Sequence, residues 1–178
     1  MSGFLAPAVV ETPRLRLRAF RPEDHPAYAV MYADPEVMRF IGAGGPLPAD
    51  ACWRSMAAAL GHWQLRGYGL YAVARREDDG LIGHVGFIDP PGWPGFELGW
   101  LLGREHWGHG FAREAAAAAL RIAREVLRRD RVISLVRPDN HRSARLAEAL
   151  GARDEGTVTF MGGPTRVFVH AAAHGAVA

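Results

Sequence analysis

Alternation of charged and apolar side chains marks the first element. Arg14-Leu15-Arg16-Leu17-Arg18-Ala19-Phe20 has the period of a half-buried strand. Arg21-Pro22-Glu23-Asp24 stops it, proline beside acidic residues being a helix-start signal, and His25 to Ala33 follows as a short helix with Tyr28, Met31 and Tyr32 on overlapping faces. A second helical turn runs from Asp34 to Phe40, and the glycine-rich segment 42–46 is a loop. Asp50 reads as the N-cap of a third helix, Ala51 to Arg66, in which Trp53, Met56, Leu60 and Trp63 recur three or four positions apart. Tyr68 to Arg75 and Leu81 to Ile88 are strands joined by Glu77-Asp78-Asp79-Gly80, an Asp-Gly hairpin signal. The proline-rich segment 89–95 leads into a third strand, Phe96 to Leu102, completing an antiparallel meander.

The period then changes to that of a helix. From Phe111 to Arg128 the residues Ala115, Ala119, Ile122 and Val126 share one side, while Arg113, Arg121, Arg124, Glu125 and Arg128 share the other. Arg131 to Val136 is a strand again, so strand, helix and strand form a right-handed βαβ unit with a parallel pair. Asn140 caps a further helix, His141 to Leu150, which Gly151 ends, and strands near 155–160 and 165–170 complete a mixed sheet. The pattern predicts an α+β domain over residues 11–170, with a leader at 1–10 and a frayed tail at 171–178.

Composition narrows the class. Apolar residues make up 49% and charged residues 22%, normal for one globular domain, and 178 residues suffice for a core without metal or disulfide. Basic residues exceed acidic ones by two, too few to argue for nucleic acid as a partner. Cys52 is the single cysteine and reads as a small buried hydrophobe, with no nearby base to activate it. The absence of a disulfide, of a signal peptide and of a long apolar run makes the cytoplasm the expected location, with no membrane partner.

The candidate chemistry begins where the third strand of the meander hands over to the alanine-rich helix, at Trp107-Gly108-His109-Gly110-Phe111-Ala112. The first N–H groups of a helix lack intrahelical partners and carry the positive end of its dipole, and the glycines let an anion approach the backbone, so the turn suits a pyrophosphate. It is neither a Walker loop, since no Gly-Lys-Ser/Thr follows, nor a full dinucleotide fingerprint, since the third glycine is missing. His106 and His109 are spaced like metal ligands, but no further ligand pattern completes a site, so no metal is expected.

Trp107 to Glu114 and, about thirty residues on, Pro138-Asp139-Asn140-His141-Arg142-Ser143 through Leu150-Gly151-Ala152 together resemble the GNAT superfamily of acyl-CoA-dependent N-acetyltransferases. Glu11 to Arg18 and Pro35 to Gly42 resemble its ribosomal-protein N-terminal acetyltransferase branch. The resemblance spans residues 11–170 and implies a single GNAT-like domain, with a mostly antiparallel mixed sheet of six to seven strands, a splayed parallel central pair and flanking helices. It also implies acetyl-CoA as acyl donor, with the pantetheine arm in the gap between Phe96–Leu102 and Arg131–Val136, and a monomer or homodimer.

By the same resemblance, Trp107, Gly108, His109, Gly110, Phe111 and Ala112 form the pyrophosphate loop, and Asn140 contacts the cofactor near the pantetheine. The backbone of Trp100, Leu101 and Leu102 pairs with the pantetheine amides, a strand added by a ligand. Glu97 stands where the family often places an activating carboxylate. Ser143 stands where the ribosomal branch places a serine that protonates the departing thiolate. Two positions depart from the pattern. Glu105 replaces the usual Gln or Arg three residues before the first glycine, with Arg104 beside it to offset its charge, and Ala147 replaces the tyrosine that many members use as acid. The expected activity is acetyl transfer to a primary amine of unspecified identity, with a CoA-binding module that has lost catalysis as the alternative. The loops Ile41–Pro48, Asp89–Gly95 and Met161–Pro164 are expected to line the acceptor pocket.

Overall fold

The computed structural model describes residues 5–171. In chain order these form β1 (Val10–Glu11), β2 (Leu15–Arg18), α1 (His25–Ala33), α2 (Pro35–Met38), α3 (Ala49–Arg66), β3 (Leu70–Arg75), β4 (Leu81–Ile88), β5 (Glu97–Leu102), α4 (Phe111–Arg121), β6 (Arg131–Val136), α5 (His141–Ala149), β7 (Arg153–Phe160) and β8 (Gly163–Ala171). One eight-stranded sheet runs β1-β2-β3-β4-β5-β6-β8-β7. Every neighbouring pair is antiparallel except β5 and β6. The strand beyond the expected six or seven is β1, too short at two residues to register as a pattern.

Helices cover both faces of the sheet. The alanines of α4, Ala115, Ala116, Ala118 and Ala119, pack against Leu15, Leu17, Tyr71, Val73, Val85, Phe87 and Leu98; without longer side chains the helix lies close to the strands. On the opposite face α1, α2 and α3 close over Ala72, Leu81 and Leu101. The helix α5 sits on the same face as α4, where Ala144 and Ala147 meet Val136 and Phe168.

Several details differ from the pattern-based reading. The buried face of α3 is Cys52, Met56, Ala59 and Trp63, while Trp53 and Leu60 are exposed. Both sets of positions satisfy the helical period, and Trp53 instead meets His25 edge to face. The helix begins two residues earlier than expected, with Pro48 at the cap position in place of Asp50; Asp50 lies in the first turn, where its carboxylate suits the dipole, and pairs with Arg54. The expected single helix from Phe111 to Arg128 changes at Ile122 into a wider π turn, with Leu127 N–H bonding to Ile122 C=O. The extra residue in that turn rotates the end of the helix, keeping Ile122 and Ala123 in the core and turning Val126 to solvent.

Of the expected leader, residues 1–4 lie outside the described part. Leu5 and Ala6 donate backbone hydrogen bonds to Gly67 C=O, and Ala6 is buried, so this stretch is docked on the domain. The expected tail from 172 onward is likewise outside the described residues. Near the start of the sheet, Arg18 and Asp24 form a buried two-pronged pair at 2.7 and 2.9 Å that ties β2 to the start of α1.

Candidate active site

The strands β5 and β6 meet at one point. Glu97 lies opposite Ile133, and Ile133 N–H donates to Phe96 C=O at 2.9 Å; beyond it no further pairing joins the two among the described residues. The antiparallel ladder to β4 decides which main-chain groups face the resulting gap. Gly103 N–H bonds to Ile82 C=O, and the register is unbroken from Gly83–Leu102 to Ile88–Glu97, so Gly99 and Leu101 also turn their backbone groups to β4. Leu98, Trp100 and Leu102 therefore turn theirs toward β6. The Leu98 carbonyl accepts the Ser134 hydroxyl at 2.8 Å and the Leu102 carbonyl accepts the Trp107 indole N–H at 2.8 Å. The N–H groups of Trp100 and Leu102 and the carbonyl of Trp100 are left facing the gap. This corrects the expectation for Leu101, whose backbone belongs to the β4 ladder; Leu101 contributes to the wall of the neighbouring cavity instead.

One end of the gap opens at the start of α4. Gly108 and Gly110 have φ of 82° and 79°, a region that side chains disfavour, and a Cβ built on Gly108 would find no atom within 4 Å. Gly110 occupies the cap position with no side chain capping it, so among the described residues the first N–H groups of α4 have neither an intrahelical nor a side-chain partner. The loop is braced from behind: Arg14 donates to His109 C=O at 2.9 Å and pairs with Glu114 at 2.7 Å, and Glu114 also accepts the Thr12 hydroxyl at 2.6 Å. These contacts hold Glu114 below the usual carboxylate range against the opposing effect of burial. The arginine over the cradle is Arg142, whose guanidinium stacks 3.7 Å from the Trp107 ring. Arg104, expected to offset Glu105, pairs instead with Asp34 at 3.0 Å, and Glu105 is largely exposed beside His106. A cavity of about 320 Å³ runs from Leu102, Trp107 and Ala112 to Asn140, Ser143 and Arg145.

The other side of the gap is a cavity of about 220 Å³ that contains Glu97, Gly99, Ser134, Asn140 and Ser143 in its wall. All three expected loops reach it, through Ile41, Trp93 and Met161. Burial pushes the Glu97 carboxyl up to about 7, although the Trp93 indole N–H, donating at 2.6 Å, and the Leu135 backbone both favour its ionised form. Asn140 caps α5 by accepting the Ser143 N–H at 3.2 Å, so its side-chain oxygen is engaged within the protein. The Ser143 hydroxyl oxygen accepts the Trp100 indole N–H at 3.3 Å, which leaves its own proton free to be donated elsewhere. Ala147 is fully buried in the small core beneath α5 and offers no hydroxyl. Burial also holds the His84 imidazole down at about 4, hence neutral, with its Nδ1 bonded to the Tyr28 hydroxyl at 2.6 Å.

The structure thus brings Glu97, Ser143, Asn140 and Trp100 to one cavity, with Leu102, Trp107 and Ala112 on the adjoining one. The sequence reading missed Arg14, Glu114, Trp93, Arg142 and His84. Trp93 was within reach of it, since it lies in a loop already expected at the pocket; the others act across large sequence separations that no local spacing reveals.

An open gap between parallel strands, with uncapped helix N–H groups at one end and a carboxyl raised by burial to about 7 at the other, has the layout of a group-transfer site. The acetyltransferase (GNAT) domain family matches residues 14–153, and the chain belongs to that family. It is 32% identical over 148 residues to p20, an uncharacterized N-acetyltransferase of Bacillus licheniformis, covering 82% of each chain. An acetyltransferase from Agrobacterium tumefaciens has the same fold with a TM-score of 0.83 and 32% identity, over 92% of this chain and 94% of that one. The ribosomal-protein-S5-alanine acetyltransferase of Vibrio fischeri superposes with a TM-score of 0.74, over 94% of this chain and 98% of that one. At 16% identity this last likeness shows the shared fold alone. Acetyl transfer is the general reaction of the family, and acetyl-CoA is its usual acyl donor.

Proposed function

We propose that the chain moves the acetyl group of acetyl-CoA onto a primary amine by direct attack within a ternary complex. The single observation that carries this reading is the lone Glu97–Ile133 pairing, beyond which the backbone donors of Trp100 and Leu102 have no strand partner. The residues fit the donor. The first N–H groups of α4, with Gly108 to Ala112, would hold the diphosphate, Trp100 and Leu102 would pair with the amide-bearing arm, and Asn140 and Ser143 would border the thioester. Acetyl-CoA supplies the activated acyl group.

The protein's own contribution is to position and to move protons. Glu97 takes a proton from the incoming ammonium, directly or through a water; a group titrating near 7 is ionised often enough to accept it and basic enough to matter. The Leu102 N–H is the candidate donor to the acyl carbonyl. As the N–C bond forms and the C–S bond breaks, the nitrogen sheds its second proton to become the amide, and the Ser143 hydroxyl passes its own proton to the departing sulfur while regaining that one, directly or through a water. A thiol titrating near ~8.5 is already a fair leaving group, so this last step needs only modest help.

Ala147 favours a second reading, a CoA-binding module without turnover, because the position that holds a tyrosine in many relatives has no proton to give. Calorimetric titration with acetyl-CoA, followed by assay of free thiol over a panel of amines and N-terminal peptides, separates the two. Turnover with at least one amine supports transfer, tight binding with no turnover supports the module, and no binding refutes both. All 21 basic residues of the chain are arginine, so no lysine side chain competes as acceptor.

A further inference from the structure

The cavity that holds Glu97 also carries a positive charge that the reaction does not use. Arg137 follows the end of β6, and its side chain reaches across to the turn between β7 and β8. Its Nη1 donates to the carbonyls of Phe160 and Pro164 and to the Thr165 hydroxyl at 3.0 to 3.3 Å, and its Nη2 donates to Met161 C=O at 3.1 Å. Every one of these partners is neutral, and Arg137 forms no ion pair among the described residues. A guanidinium has five N–H groups, so Nε–H and the second Nη2–H stay available. The clamp has been given room: a Cβ on Gly163 would come within 2.8 Å of Nη1.

The position of this charge relative to Glu97 matters. The Leu135 backbone bonds to the Glu97 carboxyl, the Arg137 backbone follows two residues on, about 7 Å from that of Leu135 at the rise of a strand, and both Glu97 and Arg137 line the same cavity of about 220 Å³. Arg137 also borders a neighbouring surface cavity, together with a second arginine, Arg39. Between the two ends the wall is aromatic: Trp93 and Phe160 meet edge to face at 4.8 Å, and Phe40 lies nearby. The site thus offers a proton acceptor, an apolar wall and a fixed cation within one small space.

We propose that the acceptor is a small amine that also bears a carboxylate and an apolar side group, of the α-amino acid type, with Arg137 binding the carboxylate while Glu97 faces the amine. The inference rests on the acetyl-transfer reading above. A guanidinium already fixed by four hydrogen bonds pays little entropy to bind an anion, and its remaining N–H groups make charge-assisted bonds that a neutral amine cannot use.

The test compares L-phenylalanine with 2-phenylethylamine, which share ring, chain and amine and differ by the carboxylate. The expected kcat/KM ratio favours phenylalanine by about tenfold or more, the worth of one charge-assisted hydrogen bond. Arg137→Gln is expected to bring the ratio to about one, and Arg137→Lys, which keeps the charge but not the fork, to retain part of it. Should the glutamine variant fail to fold, Arg137→Lys carries the test, since a lysine in place of the fork is expected to lower the ratio below that of the wild type. A wild-type ratio at or below one overturns the inference, as does a ratio that persists in Arg137→Gln or is unchanged in Arg137→Lys, and so does acetylation of neither compound. Acetylation of phenylethylamine alone leaves the acetyl-transfer reading standing, whereas failure to bind acetyl-CoA removes that reading as well.

Discussion

Replacing Glu97 with glutamine should remove a pH-dependent loss of stability and lower activity together, and both effects follow from the same buried carboxyl. In the folded protein it titrates at about 7, against an ordinary value of 4.5. A raised folded value means that the stability associated with the group is fully present below about 4.5 and is lost as the pH rises through about 7. Full displacement is worth about 3 kcal/mol. Between pH 5 and pH 8 the part expressed is about 2.5 kcal/mol, an upper figure because the carboxyl borders a cavity that admits water. Glutamine cannot accept from both the Trp93 indole and the Leu135 backbone with one carbonyl oxygen as well as a carboxylate does with two, which costs about 1–3 kcal/mol at every pH. That cost cancels when the variant is compared with itself at two pH values.

Wild type should therefore lose about 2.5 kcal/mol more than Glu97→Gln on going from pH 5 to pH 8, or about 5–10 °C in Tm for a chain of this length. Thermal or urea denaturation at the two pH values measures it. In parallel, kcat/KM of the wild type should rise through a limb near pH 7, and the variant should lose that limb together with about a hundredfold or more of its rate at pH 8. The limb set by the acceptor's own ammonium, at higher pH, should remain. An acid limb that persists in the variant, or a stability difference that does not change with pH, would refute the assignment of Glu97 as a base with a burial-raised titration.

Three further outcomes are expected. Gly108→Glu should weaken acetyl-CoA binding at least tenfold by calorimetry, because it places a carboxylate at the diphosphate position and a side chain at a φ of 82°; unchanged affinity would remove the cradle. Ser143→Ala should lower kcat about tenfold while leaving acetyl-CoA affinity within about twofold, and equal turnover would end its role as proton donor. Asp24→Ala should destabilise the protein by about 3 kcal/mol, the low end for a broken buried pair because Asp79 lies 3.5 Å from Arg18 and shares its charge; a loss under 1 kcal/mol in urea melts would contradict that reasoning.

Legibility in the sequence was local. Strand and helix periods, the cap at Asn140 and the glycines before Phe111 are each written in a few consecutive residues, and each is found where the pattern places it. The phase of α3 was not legible, since two sets of positions fit the same period and the choice between Cys52 and Trp53 depends on what packs against them. The change of pitch at Ile122 was hidden for a similar reason: nothing in the sequence Ile-Ala-Arg-Glu-Val breaks a helix, and the π turn keeps Ile122 and Ala123 buried. In the site, residues carried by short motifs, among them Trp107, Ala112, Asn140 and Ser143, line the two cavities. The braces that hold them, such as Arg14 with Glu114 across a hundred positions, depend on contacts that only the fold creates.

A sheet separates the groups on its two faces, and here that separation becomes the reason for the gap. Side chains alternate along a strand, so Leu98, Trp100 and Leu102 turn toward α4 and α5, while Glu97 and Gly99 turn the other way. An acyl donor cradled at the start of α4 and an amine held beside Glu97 would be kept apart by a closed ladder, since strands stand about 4.8 Å apart with no space between hydrogen-bonded backbones. Parting β5 from β6 after the Glu97–Ile133 pairing removes that barrier at the place where Ser143 and Trp100 approach from one face and Glu97 from the other. The exposed backbone groups that parting leaves behind need partners, and an amide-bearing ligand can supply them. On the proposed reading, the opening that would admit the donor and the means of binding it are one feature of the sheet, and the strand period sets Glu97 and Trp100 on its opposite faces, with Ser143 of α5 beside Trp100.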